Sequence, residues 1–305
     1  MLIREALAQG SADLKHAGVE SPSLDGSILL AHVLHTTRTA LYASAHKQIS
    51  EENCAAYCEL IERRCNGECV AYLTEKKEFR GLEFTVNKSV LVPRPETETL
   101  VEAALTISNE QLATNNEQSA EKNAKVSVLD LCTGSGAVAV SLKHEMPELE
   151  IYASDISANA LDLAEINAAR LLPKENCINF FIGDIFSAIS YSTPHSPVPI
   201  PDSLFSLIIS NPPYIPSGEI ETLPAEVRNE PRIALDGGVS GLEIIERIIK
   251  GAPDYLKNGG FLLIEADPRQ MSNITILLEK RGFFNIQLYN DLSGSQRAIG
   301  GRYEM

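Results

Sequence analysis

From Val126 to the end of the chain, short apolar stretches alternate with amphipathic stretches, and this alternation constrains the fold more than any other feature. The apolar stretches have the length of strands and lack polar alternation, which is typical of parallel strands buried on both faces. The amphipathic stretches have helical spacing. Together they predict an α/β fold, in which helices cover both faces of a mainly parallel sheet.

The predicted strands and helices have definite bounds. Strands are expected over residues 126–131, 151–154, 178–182, 205–210, 261–265, 284–289 and 296–299. Helices are expected over residues 136–143, 158–171, 242–256 and 274–281. The connection between the last two strands is too short for a right-handed parallel crossover, so that pair should be antiparallel. The proline-containing stretch 187–203 is predicted to be an inserted surface loop.

The first part of the chain has a different pattern of apolar and polar residues, and this pattern predicts a separate domain. Residues 1–77 have helical spacing without a strand pattern, and Ser50 is a candidate N-cap. Residues 78–86 alternate apolar and polar side chains, and a turn at Asn87-Lys88 would complete a β-hairpin with residues 90–92. Residues 96–107 should be helical and residues 108–124 a solvated loop or a frayed helix end. We therefore expect a helical domain at 1–77, a hairpin linker at 78–93 and a second domain at 94–305.

Composition excludes several classes of protein. The 26 basic and 41 acidic residues give a net charge of −15, which disfavours sequence-independent binding to nucleic acid. No apolar run is long enough to span a bilayer, and the N-terminus carries charges too early for a secretory signal. These features predict a cytoplasmic protein.

The six cysteines, at positions 54, 58, 65, 69, 132 and 177, do not form the pattern of a disulfide scaffold. The first four have i,i+4 spacing in pairs, and a zinc site is conceivable. However, the spacing differs from the usual C-x2-C, and Asn66-Gly67 should end the helix between Cys65 and Cys69. We predict small buried apolar residues and no metal.

A glycine-containing turn follows the first strand of the second domain, in residues 128–137. Gly134 and Gly136 would let the backbone approach a ligand, and the context suits a nucleotide or nucleoside cofactor. Asp155 closes the next strand, where an acid can bind both ribose hydroxyls. The spacing is not G-x-G-x-x-G, and an ordinary strand-to-helix turn with a helix cap is the alternative.

Asp184 and Ile185 close the third strand. The Asp184 carboxylate could accept a hydrogen bond from the exocyclic amine of a purine. A helix N-cap is an equally good interpretation of this aspartate.

The sequence Asn211-Pro212-Pro213-Tyr214 closes the fourth strand and is the most specific motif in the chain. A residue before proline is pushed out of the helical region, and two prolines stiffen the turn. The motif would present the Asn211 amide, the Pro212 carbonyl and the Tyr214 ring to the cleft. Two acceptors and an aromatic face suit a planar –NH2 group. A merely proline-stiffened loop is the alternative.

With these motifs, the second domain resembles class I S-adenosylmethionine-dependent methyltransferases that methylate planar nitrogen. Further segments make the whole chain similar to the bacterial peptide chain release factor glutamine methyltransferases. They are Ala71-Tyr-Leu73, Glu78-Phe79, residues 92–98 (VPRPETE), residues 230–238 (EPRIALDGG) and residues 291–297 (DLSGSQR). The resemblance implies a seven-stranded Rossmann-like sheet and methylation of the glutamine side-chain amide in the Gly-Gly-Gln loop of class 1 release factors.

The resemblance also implies a site. It assigns S-adenosyl-L-methionine to Asp130, Cys132, Thr133, Gly134, Ser135, Gly136, Asp155, Asp184, Ile185 and Asn211, and the substrate amide to Asn211, Pro212, Pro213 and Tyr214. Catalysis would depend on Asn211, Pro212 and Tyr214. The helical domain would recognise the release factor, and we expect a monomer with no direct nucleic-acid or membrane partner. Departures from the family pattern occur at Cys69, Cys132 and residues 266–270.

Three other functions compete with this interpretation. An adenine-amino or ribosomal-RNA methyltransferase would use the same motif, but the charge of −15 and the absence of a Lys/Arg-rich segment disfavour it. A non-catalytic cofactor-binding protein would not need an intact Asn211–Tyr214 motif. A nicotinamide-dependent dehydrogenase would need a different glycine spacing.

Overall fold

A computed structural model describes residues 1–118, 125–189 and 205–304. The chain forms two compact units, which are Met1–Lys76 with Leu223–Asn229, and Lys77–Thr222 with Glu230–Met305. The boundaries expected from sequence put residues 223–229 in the second domain, whereas in the structure they belong to the first unit. No helix in the described ranges is long and apolar enough to cross a membrane.

The regular elements are numbered in chain order. The helices are α1 (Ile3–His16), α2 (Pro22–Val33), α3 (Arg38–Ala43), α4 (Glu51–Cys65), α5 (Val70–Thr74), α6 (Glu98–Gln118), α7 (Ala137–Glu145), α8 (Ala158–Leu171), α9 (Ala225–Arg228), α10 (Glu243–Gly251) and α11 (Met271–Arg281). The strands are β1 (Lys76–Phe79), β2 (Leu82–Thr85), β3 (Ser127–Leu131), β4 (Glu150–Asp155), β5 (Ile178–Ile182), β6 (Phe205–Ser210), β7 (Leu256–Glu265), β8 (Phe283–Asn290) and β9 (Gln296–Tyr303).

The first unit is helical, as the sequence predicts. Helices α1, α2 and α4 pack around an apolar core that includes Leu14, Leu29 and Leu30, which are fully buried. The Ser50 side chain accepts a hydrogen bond from the Asn53 amide at 3.2 Å, so the predicted N-cap of α4 is confirmed.

The segment 223–229 is held in this unit by polar contacts. Arg64 is buried, and its guanidinium donates to Asp25 Oδ2 and to Glu226 Oε2, each at 2.8 Å. Asn229 Nδ2 donates to the Gly67 carbonyl at 2.8 Å. A buried charge is costly without partners, so Arg64 links the fold of the early helices to the presence of the later segment.

The N-terminal cysteines lie beside the core instead of within it. Cys58 is exposed and the other three are half-buried, so the prediction that they are buried is wrong. The buried face of α4 passes through Tyr57, Ile61 and Arg64, and the cysteines flank that face. The helix ends at Cys65, before Gly67 with a φ of 88°, as predicted. No group of three potential metal-binding side chains occurs among the residues that the structure describes.

The hairpin forms at a different place from the one predicted. Strands β1 and β2 pair around Arg80 and Gly81, whose φ angles are 49° and 74°. Two successive residues with positive φ match the twist of a two-residue hairpin turn. The chain does turn at Asn87-Lys88, since the Val90 amide donates to the Asn87 carbonyl at 3.2 Å, but the hairpin predicted across this turn is wrong because residues 90–92 are not a strand.

The large sheet of the second unit has the strand order β5-β4-β3-β6-β7-β9-β8. Neighbours from β5 to β7 are parallel, whereas β9 is antiparallel to both β7 and β8. The predicted α/β class and the antiparallel last pair are thus confirmed. Strands β3 and β6 are buried along their whole length, which explains their continuous apolar sequence.

Two predicted helix bounds are wrong. The predicted helix 242–256 ends at Gly251, a short 3-10 turn containing Pro253 follows, and Leu256 already belongs to β7. Helix α6 continues to Gln118, well beyond the predicted end at 107. Of the predicted loop 187–203, residues 187–189 form the end of a buried 3-10 turn, and the rest lies outside the described residues.

Candidate active site

A cavity of about 570 Å³ lies in the second unit at the carboxyl ends of the parallel strands. Strand β3 pairs with β4 on one side and β6 on the other, so the cavity lies where the strand order reverses. Among the predicted site residues, those that line it are Asp130, Cys132, Thr133, Gly134, Ser135, Asp155, Asp184, Ile185, Asn211 and Pro213. Gly136, Pro212 and Tyr214 do not line it.

The turn after β3 has an unusual backbone. Cys132, Gly134 and Gly136 all have positive φ, at 60°, 56° and 78°. A Cβ on Gly134 would meet no atom within 4 Å, whereas a Cβ on Gly136 would lie 3.1 Å from the Ala164 Cβ. Gly136 therefore allows α7 and α8 to pack closely, which explains its position behind the cavity wall. Burial raises the pKa of the Cys132 thiol to about 12, so this group is not a thiolate nucleophile.

Two aspartates hold the turn in place. Asp155 Oδ2 accepts a hydrogen bond from the Gly134 amide, and its Oδ1 accepts from the Ser157 amide, both at 2.9 Å. Buried Asp130 accepts from the Thr133 hydroxyl at 2.6 Å, and burial raises its pKa to about 7. A carboxylate has about four acceptor positions, so Asp155 keeps capacity for ligand hydroxyls on the cavity side.

A strained residue lies three positions after β5, the third strand of the second domain in chain order. Ile185 has a φ of 52°, a conformation that β-branched residues rarely adopt, and it lines the cavity. Such strain is concentrated at functional sites. The Asp184 carboxylate forms an ion pair with Arg247 at 2.6 Å, so its side chain is oriented by a cation of α10 and does not cap the following turn.

The Asn-Pro-Pro-Tyr motif begins directly after β6. Asn211 is half-buried, and its Nδ2 donates to the Thr97 hydroxyl at 3.2 Å. Pro213 lies at the cavity wall and Pro212 is buried. Tyr214 packs against the core of the unit, and its carbonyl accepts from Gln270 Nε2 at 2.9 Å. The loop thus presents Asn211 and Pro213 to the cavity and is anchored from behind by Gln270.

Several residues that support the motif loop have no strong local signal in the sequence. A Cβ on Gly237 would lie 2.7 Å from the Tyr214 Cα, so this glycine lets the two loops pack closely. Glu230 is buried, accepts from the Val92 amide at 3.1 Å and forms an ion pair with Arg94, which lines the cavity. Gly237, Glu230 and Arg94 lie within residues 230–238 and 92–98, which resemble the family. This resemblance is the sequence signal that could have identified them.

Glu265 is, besides Thr97, another residue that lies close to Asn211. It is the last residue of β7, and only 2% of its surface is exposed. Burial raises its pKa to about 7, while the nearby polar side chains of Thr97 and Asn211 and the charge of Arg297 act in the opposite direction. Its Oε2 has no hydrogen-bond partner within the described part of the chain.

Comparisons with known proteins identify relatives along the whole chain. The model of the PrmC N-terminal domain matches residues 5–74, and that of the methyltransferase small domain matches residues 110–226. A release factor glutamine methyltransferase of Geobacter sulfurreducens is 35% identical over 98% of this chain and 96% of its own. One of Rhodopirellula baltica is 38% identical over 92% of this chain and 90% of its own.

The chain also resembles more distant proteins of solved structure. The hMettl16 catalytic domain in complex with MAT2A 3′UTR hairpin 1 has a TM-score of 0.52 and 11% identity, covering 86% of this chain and 84% of its own. At this identity the likeness concerns the fold alone. The identity to curated relatives over nearly the full length is decisive for the family: the chain belongs to the release factor glutamine methyltransferases.

Proposed function

We propose that this chain transfers a methyl group from S-adenosyl-L-methionine to the side-chain amide nitrogen of the glutamine in the Gly-Gly-Gln loop of class 1 release factors. The observation that carries the proposal is the position of Asn211, which lies on the wall of the same cavity as Asp155 and Asp184. An amide that can bind a planar –NH2 group thus lies beside the acids expected to hold the methyl donor.

The cavity fits this cofactor in size and charge. Its volume of about 570 Å³ is within the range of small-molecule sites. Asp130 and Asp155 lie on the wall near the turn after β3, where a sulfonium cation would be favoured, whereas the charge of Asp184 is balanced by Arg247. Asp155 would bind the ribose hydroxyls, Asp184 and Ile185 the adenine, and the turn from Cys132 to Gly136 would approach the amino-acid part. When bound, S-adenosyl-L-methionine would supply the methyl group, with its S–CH3 bond broken as the C–N bond forms and S-adenosyl-L-homocysteine as the leaving group.

Asn211 would orient the nitrogen that is methylated. An amide nitrogen is a poor nucleophile because its lone pair is delocalised into the carbonyl. Asn211 Oδ1 and the Pro212 carbonyl would accept its two hydrogens, which directs the lone pair towards the methyl and stabilises positive charge on a pyramidal nitrogen. Pro213 would contact the substrate side chain, whereas Tyr214, which packs against the core, would support the motif loop. In-line positioning of this kind can supply roughly 7–11 kcal/mol.

No thiolate or histidine base is needed in this proposal. The nitrogen becomes acidic once the new C–N bond has formed, and its proton can then leave to water or along a hydrogen bond. Cys132 is the cysteine that lines the cavity, and the raised pKa of its thiol agrees with a role in the shape of the turn.

Substrate recognition would involve the first unit. Every chemical motif follows Pro95 in the sequence, so the helical residues 1–77 are free to bind the release factor. We propose that the chain acts as a cytoplasmic monomer with no direct nucleic-acid partner, in keeping with its charge of −15.

A side-by-side methylation assay tests the proposal. Purified protein and labelled S-adenosyl-L-methionine would be incubated separately with a class 1 release factor, with the same factor carrying alanine for the Gly-Gly-Gln glutamine, and with ribosomal RNA. Label should enter only the intact factor, and mass mapping should place it on that glutamine. Label in the RNA, or in the alanine variant at the wild-type level, would refute the proposal.

A further inference from the structure

The motif loop, residues 211–217, is paired through its backbone with a second loop, residues 235–241, which we call the paired loop. The Ile215 amide donates to the Leu235 carbonyl at 3.0 Å, and the Gly237 amide donates to the Ile215 carbonyl at 2.9 Å. These reciprocal hydrogen bonds hold the two loops in register with each other.

Gln270 joins both loops from a third element, the short turn Pro268–Gln270 that follows β7. Its Nε2 donates to the Tyr214 carbonyl at 2.9 Å and to the Gly241 carbonyl at 3.1 Å. Its Oε1 accepts from the Asp267 amide at 3.2 Å. Only 7% of the Gln270 surface is exposed, so this bridge is shielded from water.

The partners of Gln270 determine which way its amide points. The two carbonyl oxygens can only accept and the Asp267 backbone N–H can only donate, so Nε2 must face the loops. The bridge also needs close approach, because a Cβ on Gly241 would lie 2.8 Å from Nε2. Gly241, with a φ of 76°, leaves room for it.

We propose that Gln270 is a positioning residue for methyl transfer, which holds the Tyr214 and Gly241 carbonyls together behind the cavity. This bridge keeps the Asn211 amide and the Pro212 carbonyl where they accept the two hydrogens of the substrate –NH2. The inference rests on the proposed function, since it assumes that these two groups bind the substrate. Asn211 lines the cavity, and the wall formed by the described residues does not include Gln270, which therefore acts through the loops.

Loss of the bridge should slow the reaction without weakening the cofactor. Two acceptors orient a nitrogen only while their separation is fixed, and a misplacement of about 1 Å can slow an oriented reaction about 10²-fold. The cofactor turn is held separately, by the hydrogen bonds of Asp155 and Asp130. We therefore expect a lower kcat with cofactor affinity within about twofold of wild type.

Two substitutions remove the bridge in different ways. Gln270→Met keeps the length of the side chain and has no donor at any pH. In Gln270→Glu, a carboxylate would face two carbonyl oxygens, whereas the protonated acid regains one O–H for the Tyr214 carbonyl. Burial and the facing carbonyls disfavour the charged form, so the pKa of this new carboxyl should lie well above its usual value of about 4.3. Acid should therefore restore part of the activity of Gln270→Glu but none of that of Gln270→Met.

The other charged groups near Gln270 and Tyr214 are common to wild type and variants, so dividing each kcat by the wild-type value at the same pH removes their contribution. They are Asp267 and Arg269 on the turn, Glu219 after the motif loop, Asp236 and Glu243 beside the paired loop, Arg94, and Glu265 and Arg297 on β7 and β9. A change in this ratio with pH reports the new carboxyl.

The test is kcat from pH 6 to pH 8.5, with release factor as substrate and both substrates saturating. At pH 8.5 both variants should be about tenfold or more slower than wild type. At pH 6 the ratio to wild type should rise about threefold or more for Gln270→Glu and stay constant for Gln270→Met. Thr275→Val is the matched control, because it removes a hydrogen bond of 2.9 Å from the next helix, α11, and should leave kcat within about twofold of wild type.

Gln270→Glu prepared at pH 6 carries the test if Gln270→Met does not fold. Its kcat ratio should fall reversibly at pH 8.5, with unchanged circular dichroism and cofactor affinity. An inactive wild type would refute the proposed function. An active wild type, together with near wild-type kcat in the Gln270 variants or a pH-independent ratio in Gln270→Glu, would overturn this inference alone.

Discussion

Replacing Asn211 by alanine and by aspartate separates the two contacts of its side chain. Alanine removes both the acceptor Oδ1 and the donor Nδ2. Aspartate keeps the shape and an acceptor but loses the hydrogens that Nδ2 gives to Thr97 at 3.2 Å. We expect both variants to fold and to retain most of their cofactor affinity.

The size of each effect follows from the structure. A hydrogen bond matched to a transition state contributes about 2.7–4 kcal/mol, so Asn211→Ala should slow methyl transfer by about 10²–10³-fold. In Asn211→Asp, the hydrogen bond that Nδ2 gives to Thr97 is lost, and a carboxylate replaces the amide at a half-buried position. A polar group left without its partner costs about 1–3 kcal/mol, which corresponds to a loss of about ten- to hundredfold.

Single-turnover rates with release factor as substrate decide the matter, with calorimetry to control for cofactor binding. A wild-type rate for Asn211→Ala would refute the central mechanism.

Three further predictions concern the cofactor turn and the cysteines. Asp155→Ala should weaken S-adenosyl-L-methionine binding by about 1–3 kcal/mol, because ribose hydroxyls would lose a charged partner; unchanged affinity in calorimetry would remove Asp155 from the site. Gly136→Ala should destabilise the protein by about 1–3 kcal/mol in urea unfolding, because its φ is 78° and the new Cβ would lie 3.1 Å from Ala164. Gly134→Ala is the matched control with strained φ but open space, and an equal loss in both would contradict the packing argument. Elemental analysis of untagged protein should find no stoichiometric zinc on the four N-terminal cysteines; one zinc per chain would show that the spacing argument fails.

The sheet was largely predictable from sequence because strands buried on both faces have a continuous apolar pattern. The predicted bounds of the helix 158–171 and of the strands 178–182 and 205–210 agree with the structure to the residue. The hairpin turn was not predictable, because nothing in the type of Arg80 indicates its φ of 49°. Asn87 does form a local turn, since its Oδ1 accepts from the Ser89 amide at 2.9 Å, but this turn joins no strands.

Some residues of the candidate site could be predicted from the sequence, and others could not. Residues at the carboxyl ends of neighbouring parallel strands must lie close together, so Asp155, Asp184 and Asn211 could be grouped from sequence alone. Thr97 could not be added, because it is 114 residues from its partner Asn211 and no local pattern joins them. The packing of Tyr214 on the core likewise depends on residues far along the chain.

The ion pair between buried Arg64 and the more exposed Glu226 has a consequence for the order in which the parts of the protein are synthesised and can fold. The two residues are 162 positions apart, and residues 223–229 belong to the same compact unit as the first helices. Synthesis proceeds from the N-terminus, so Arg64 leaves the ribosome with one of its two carboxylate partners still unmade. Strands β3, β4, β5 and β6 are all synthesised before that partner appears. The helical unit begins first but is finished only after most of the parallel sheet is available to fold.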